Sequence, residues 1–299
     1  MEAMTTSAAP RVLAFPGYRA PAGRLAARLG WGLDEVAVRQ FPDGESLVRL
    51  PASLPEHAVF YLSFDRPNER LVELELAAAT ARDLGAGRLT LVAPYLCYMR
   101  QDSAFHPGEA VSQRVIGRLL ARRFDEVVTV DPHLHRTARL EDAVPARRAV
   151  AVTAAPALAE WLAARDDAPV LLGPDAESAQ WVRAVAEPGG LEHAVAHKVR
   201  HGDRDVTIRL PDFDFAGRDV VLVDDVASTG HTLAGAARAV LGAGAARVDA
   251  LVTHALFVGD ALDLLAGAGV GEVRSTDSLP HPTNAVHLDA LLAGALEGA

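Results

Sequence analysis

Asp224 and Asp225 end a run of branched apolar residues, VVLV, and stand just ahead of Ser228, Thr229, Gly230, His231 and Thr232. The hydroxyls and the N–H groups of a tight turn suit an anion, and a helix starting there adds favourable potential. Carboxylates repel that anion. They suit the hydroxyls of a sugar attached to it, or a Mg²⁺ ion bridging sugar and phosphate. The run as a whole asks for a phosphorylated sugar, because a plain helix N-cap needs one such residue and not all of them.

Three further polar clusters, 95–102, 131–135 and 174–177, follow expected strands, and ligands of parallel α/β sheets bind beyond strand carboxyl ends. His133 and His135 are two apart, so an extended segment turns both rings to one side. That arrangement makes a metal site physically possible, although a histidine beside an aspartate is more often a hydrogen-bonded structural pair. Phe41-Pro42-Asp43-Gly44-Glu45 reads by itself as turn chemistry between strands. Lys198 is the only lysine among 29 basic residues. A lysine retained where arginine stands everywhere else marks a place for a compact, rotatable ammonium. The single cysteine, Cys97, excludes an intrachain disulfide and gives no zinc pattern. There is no G-x-x-x-x-G-K-[ST] stretch, so ATP would not be held by a P-loop.

The elements that must carry these residues read as α/β. Strands are expected at 11–15, 58–63, 88–93, 126–130, 169–173, 219–223 and 248–253, with helices at 69–85, 110–123, 154–165, 177–187 and 232–244. Residues 75–95 and 234–255 share one pattern, helix, Gly-Ala turn, Arg, strand, which suggests two similar halves. The domains are expected over 1–148 and 149–283, with a helix at 284–299 returning to the first. At 299 residues, half of them hydrophobic, the chain can build both cores. The net charge of −10, with no basic block, argues against a nucleic-acid grip. No apolar stretch is long enough for a membrane span, and MEAMTTSAAP lacks a signal-peptide core, so a cytoplasmic enzyme is expected.

The stretch 220–233 resembles the phosphoribosyl diphosphate (PRPP) loop of the phosphoribosyltransferase fold. FPDGESLVRL (41–50), APYLCYMRQDSAFHPGEAVS (93–112), VVTVDPHLH (127–135), GPD (173–175) and HKVR (197–200) resemble, in order, segments of the ribose-phosphate diphosphokinase family. The likeness runs over roughly residues 11–290 and implies two similar phosphoribosyltransferase-type domains, each a mainly parallel sheet flanked by helices. The implied reaction is ATP + ribose 5-phosphate → AMP + PRPP, with Mg²⁺ as cofactor.

The resemblance also implies roles for individual residues. Asp43, Gly44 and Glu45 would read the nucleotide of a neighbouring subunit, hence a homo-oligomer, and Phe41 would stack on or wall off the base. Arg100, Gln101 and His133 would hold ATP, with His133 and Asp175 toward metal. Lys198 and Arg200 would close over the transferring group as catalytic residues, Arg200 also touching the sugar phosphate. Asp224, Asp225, Ser228, Thr229, Gly230, His231 and Thr232 would bind ribose 5-phosphate. Ser103, Phe105, Ser228 and the Gly230-His231 pair depart from the family's usual residues. A PRPP-consuming transferase would leave the N-terminal motifs unexplained, and a non-catalytic regulator would not need Lys198.

Overall fold

The computed structural model describes residues 9–134, 136–165, 167–200 and 206–298, leaving out the side chains of 199, 200, 206 and 207. Contacts divide the chain into one unit of residues 1–153 plus 288–299 and a second of residues 154–287.

The first unit holds strands β1 (Arg11–Ala14), β2 (Gly32–Glu35), β3 (Ala37–Gln40), β4 (Ser46–Arg49), β5 (His57–Tyr61), β6 (Arg88–Ala93), β7 (Glu126–Val130) and β8 (Arg148–Val152). Its helices are α1 (Arg19–Leu29), α2 (Pro67–Asp83), α3 (Ser112–Arg123) and α4 (Leu140–Ala143). Six strands form one parallel sheet in the order β2-β1-β5-β6-β7-β8, and β3 and β4 make a separate antiparallel hairpin. Ala58 to Tyr61 and Leu89 to Ala93 are buried without alternation, as expected of strands covered on both faces. Each fully buried Val, Leu or Phe contributes about 1.5–3 kcal/mol.

The second unit holds α5 (Ala155–Ala163), β9 (Val170–Gly173), α6 (Ala179–Ala186), β10 (His193–Val195), β11 (His197–Arg200), β12 (Val206–Arg209), β13 (Asp219–Ala227), α7 (His231–Gly242), β14 (Arg247–Ala255), α8 (Ala261–Gly267), β15 (Val270–Thr276) and β16 (Asn284–Val286). Its parallel sheet runs β10-β9-β13-β14-β15-β16, and β11 and β12 pair as a hairpin. The topology repeats that of the first unit strand for strand. Residues 75–95 and 234–255 fall in the same slot of each, the helix and strand after the central strand.

The last helix, α9 (Asp289–Glu297), belongs to the first unit. It packs on α1, with Arg28 Nε 2.7 Å from Asp289 Oδ2, and Arg148 Nη2 donates to the Ala295 carbonyl at 2.7 Å. Residues 284–286, expected in helix, instead add an edge strand to β15. The strand expected at 219–223 runs on to Ala227, because β14 supplies partners for Asp224, Val226 and Ala227.

Candidate active site

In the second unit, β13 carries both aspartates on the strand itself. Successive strand residues face opposite sides, so the two carboxylates are not equivalent. Asp225 is 5% exposed and Asp224 half-buried. Asp224 Oδ1 accepts the Asp225 N–H at 3.0 Å, and Asp225 Oδ1 accepts the Val226 N–H at 2.9 Å. Burial, then the neighbouring charges of Asp225 and Asp175, push the Asp224 carboxyl well above its ordinary range. Asp175 follows β9, the strand beside β13, and its Oδ1 caps a short helical turn by accepting the Glu177 N–H at 3.0 Å.

The loop after β13 leads into α7 through Gly230, whose φ of +76° is left-handed and unfavourable for other residues. A Cβ there would also stand 3.3 Å from the Ala261 carbonyl oxygen. No side chain caps α7, and its first-turn N–H groups have no carbonyl within their own helix. Thr229 and His231 are exposed, while Ser228 and Thr232 are half-buried. Lys198, exposed on β11, donates from Nζ to Thr232 Oγ1 at 3.4 Å. The structure thus brings the lone lysine to the first turn of the helix behind the hydroxyl run. Arg200 ends β11, and its side chain lies outside the described residues.

In the first unit, the loops after β6 and β7 meet. Asp102 accepts the Arg136 N–H at 3.0 Å and its Nη1 at 3.1 Å, and Arg136 also reaches Ser103. Burial alone would raise the Asp102 carboxyl, but hydrogen bonds and charge from Arg136 hold it below its ordinary value. Gln101, beside exposed Arg100, accepts from Ser112 Oγ at 3.0 Å. Tyr98 (φ 61°) and Asp131 (φ 36°), non-glycine residues in the left-handed region, lie in these two loops. Such conformations cost roughly 1–3 kcal/mol and concentrate at functional sites. His133 is half-buried two residues beyond Asp131, and its expected companion His135 lies outside the described residues. Cys97 is buried nearby in sequence, and burial pushes its thiol up to about 12, which keeps it inert.

Asp43, Gly44 and Glu45 form the exposed turn of the β3–β4 hairpin, closed by Phe41 N–H to the Glu45 carbonyl at 2.7 Å. Arg39 lies over the Phe41 ring at 4.7 Å. Ser46 Oγ donates to Glu73 Oε1 on α2 at 3.3 Å, which ties the hairpin to the unit. Pro-Asp-Gly marked the turn of this hairpin, whereas its strands, half polar and mostly exposed, were not among the expected ones. Arg136 carried no such signal, since its partner is 34 residues away.

Fold and geometry together define an α/β protein of two phosphoribosyltransferase-type domains. A family model described as the N-terminal domain of ribose phosphate pyrophosphokinase matches residues 11–123, and one described as a phosphoribosyl transferase domain matches 138–276. The ribose-phosphate pyrophosphokinase of Methanopyrus kandleri is 37% identical, covering 92% of this chain and 94% of its own. That of Halobacterium salinarum is 39% identical, over 92% and 96%. The crystal structure of phosphoribosylpyrophosphate synthetase from Mycobacterium smegmatis has the same fold, with a TM-score of 0.80 over 97% of this chain and 98% of that one at 24% identity. The chain belongs to the ribose-phosphate pyrophosphokinase family and is an enzyme.

Proposed function

We propose that the enzyme binds ATP and ribose 5-phosphate and transfers the β,γ-diphosphoryl group to the sugar's 1-hydroxyl, releasing AMP and PRPP. The observation that carries this is Lys198 Nζ at the uncapped first turn of α7, 3.4 Å from Thr232 Oγ1. The N–H groups and hydroxyls from Ser228 to Thr232, His231 included, hold the 5-phosphate. Asp224 and Asp225 take the ribose hydroxyls. Phe41, Asp43, Gly44, Glu45, Arg100, Gln101 and His133 serve the nucleotide.

Phosphoryl transfer asks for positioning and charge neutralisation more than covalent help. The cradle fixes the sugar so that its 1-hydroxyl meets the β-phosphorus in line, and Lys198, with Arg200, meets negative charge growing on the transferred oxygens.

Among the described residues no three His, Cys, Asp or Glu side chains converge on a point fit for a metal ion. The carboxylate of Asp224, whose ionisation burial and the nearby charges of Asp225 and Asp175 disfavour, still fits Mg²⁺ together with Asp175, since that ion takes one or two carboxylates along with substrate oxygens. His133 is the candidate ligand in the first unit. A bound Mg²⁺ would neutralise phosphate charge.

A PRPP-consuming transferase would not need the match over 11–123. We further propose a cytoplasmic homo-oligomer in which the β3–β4 turn serves a neighbour's nucleotide. No described helix is long and apolar enough to cross a membrane. The deciding assay is AMP release from ATP with Mg²⁺. Release that requires ribose 5-phosphate supports the reading, and release without it, or none at all, sinks it.

A further inference from the structure

Helix α7, HTLAGAARAVLG, has four alanines and yet places Gly235 in its interior, where glycine is disfavoured against alanine. The reason lies outside the helix. A Cβ at 235 would stand 3.1 Å from Ile208 Cγ1, closer than ordinary van der Waals contact. Ile208 lies on β12 directly opposite Lys198 on β11. Residues directly opposite in an antiparallel pair share a face, so Ile208 and Lys198 both face α7. Thr232 and Gly235 are three apart and share a helix face, and Lys198 reaches Thr232. The circuit is closed: across the hairpin from Lys198 to Ile208, over to Gly235, one turn back to Thr232, and across again to Lys198.

We infer that Gly235 is a positioning residue for diphosphoryl transfer. Its missing side chain lets the β11–β12 hairpin ride close on α7 and so sets the height of the Lys198 ammonium above the 5-phosphate cradle. This rests on the reading of Lys198 as the catalytic cation. A methyl at 235 pushes Ile208 outward by a few tenths of an ångström and carries Lys198 with it. Misplacement of 1 Å can cost on the order of 10²-fold in rate, so about tenfold is expected here.

The test measures kcat, KM for ribose 5-phosphate and thermal midpoint for Gly235→Ala, Gly235→Ala/Ile208→Ala and Lys198→Ala. Gly235→Ala should lose about tenfold in kcat with KM within about twofold and no fall in midpoint. The double variant, which removes the crowded Cγ1, should regain most of that loss. A role in folding alone would lower the midpoint and leave the split between kcat and KM absent. Gly235→Ala at parental kcat, or no recovery in the double variant, overturns the inference while an inactive Lys198→Ala leaves the parent reading standing. Full turnover by Lys198→Ala overturns both.

Discussion

In the first unit the helix after the central strand begins at Pro67, with Asp65 just before it and Glu69 in its first turn. In the second the equivalent helix begins at His231, behind Ser228, Thr229 and Gly230. Proline has no N–H to offer, and the two acids would repel an anion. The first unit fills this slot with its own side chains. Tyr18 Oη donates to Asp65 Oδ1 at 3.0 Å, and burial followed by the Asp65 charge pushes that phenol's pKa up. Arg70, buried, binds Glu73 at 3.0 Å, and Glu73 accepts from Ser46. One architecture therefore supplies two equivalent helix starts, and a handful of residues makes one proline-led and acidic and the other rich in hydroxyls. The hairpins differ likewise, one offering carboxylates in a closed turn, the other a lysine.

The largest effect expected from breaking this asymmetry is at Lys198. Lys198→Ala should lower kcat by about 10³ with KM within a few fold, the pattern of an interaction made in the transition state. Lys198→Arg should stay roughly tenfold impaired, about 1.4 kcal/mol, because a planar fork cannot occupy the same point. Asp43→Ala/Glu45→Ala, in the other hairpin, should raise KM for ATP. Equal effects on kcat from both hairpins would erase the distinction.

Thr232→Val removes a donor to a bound anion, worth roughly 10- to 150-fold in ribose 5-phosphate affinity. Asn68, second residue of α2 and the counterpart of Thr232, accepts from Tyr98. Asn68→Ala should leave sugar-phosphate affinity unchanged in the same titration. A parallel loss there would mean that the first unit's slot is open after all.

Asp224→Asn should weaken the sugar and strengthen the ligand-free fold by about 0.5–2 kcal/mol, as removal of a functional charge commonly does. The sign follows from the raised carboxyl. Its favourable contribution is complete below the unfolded value of 3.8 and is lost as pH rises through the higher folded value. The stability gap between variant and parent should widen with pH in denaturation curves. A constant gap would place the charge elsewhere.

The smallest effect belongs to Arg136→Ala. Arg136 is 64% exposed although the Asp102 side chain it meets is only 4% exposed, and a pair with its cation in solvent contributes about 0–1 kcal/mol. A larger drop in a urea titration would show the β6 and β7 loops to be one structural element.

Much of this was legible beforehand. The apolar runs of β6, β7 and β13, broken only by Thr90 and Thr129, announced parallel strands covered on both sides, and the likeness of 75–95 to 234–255 marked the same slot of the two domains. The end of β13 was not legible, because aspartate is a poor strand former and only pairing with β14 holds Asp224 there. Strands β3, β4, β8, β11, β12 and β15 and helices α1 and α8 were not among the expected elements either, and the short edge strands β2, β10 and β16 and the small helix α4 went unseen for a related reason. Their partners, not their own periodicity, make them. The hydroxyl run and the lysine stood out by residue type, whereas Arg136 and Gly235 act through neighbours distant in sequence.

The chain leaves the first unit after Thr153 and returns at Leu288. During synthesis the ribosome must therefore deliver all of the second unit, roughly 130 residues, before α9 reaches α1. At about 5–20 residues per second that is a delay of roughly 7–26 s. Through it the surface that Leu292 and Leu296 will cover faces the nascent-chain environment, and the second unit has the time to complete itself before the first is sealed.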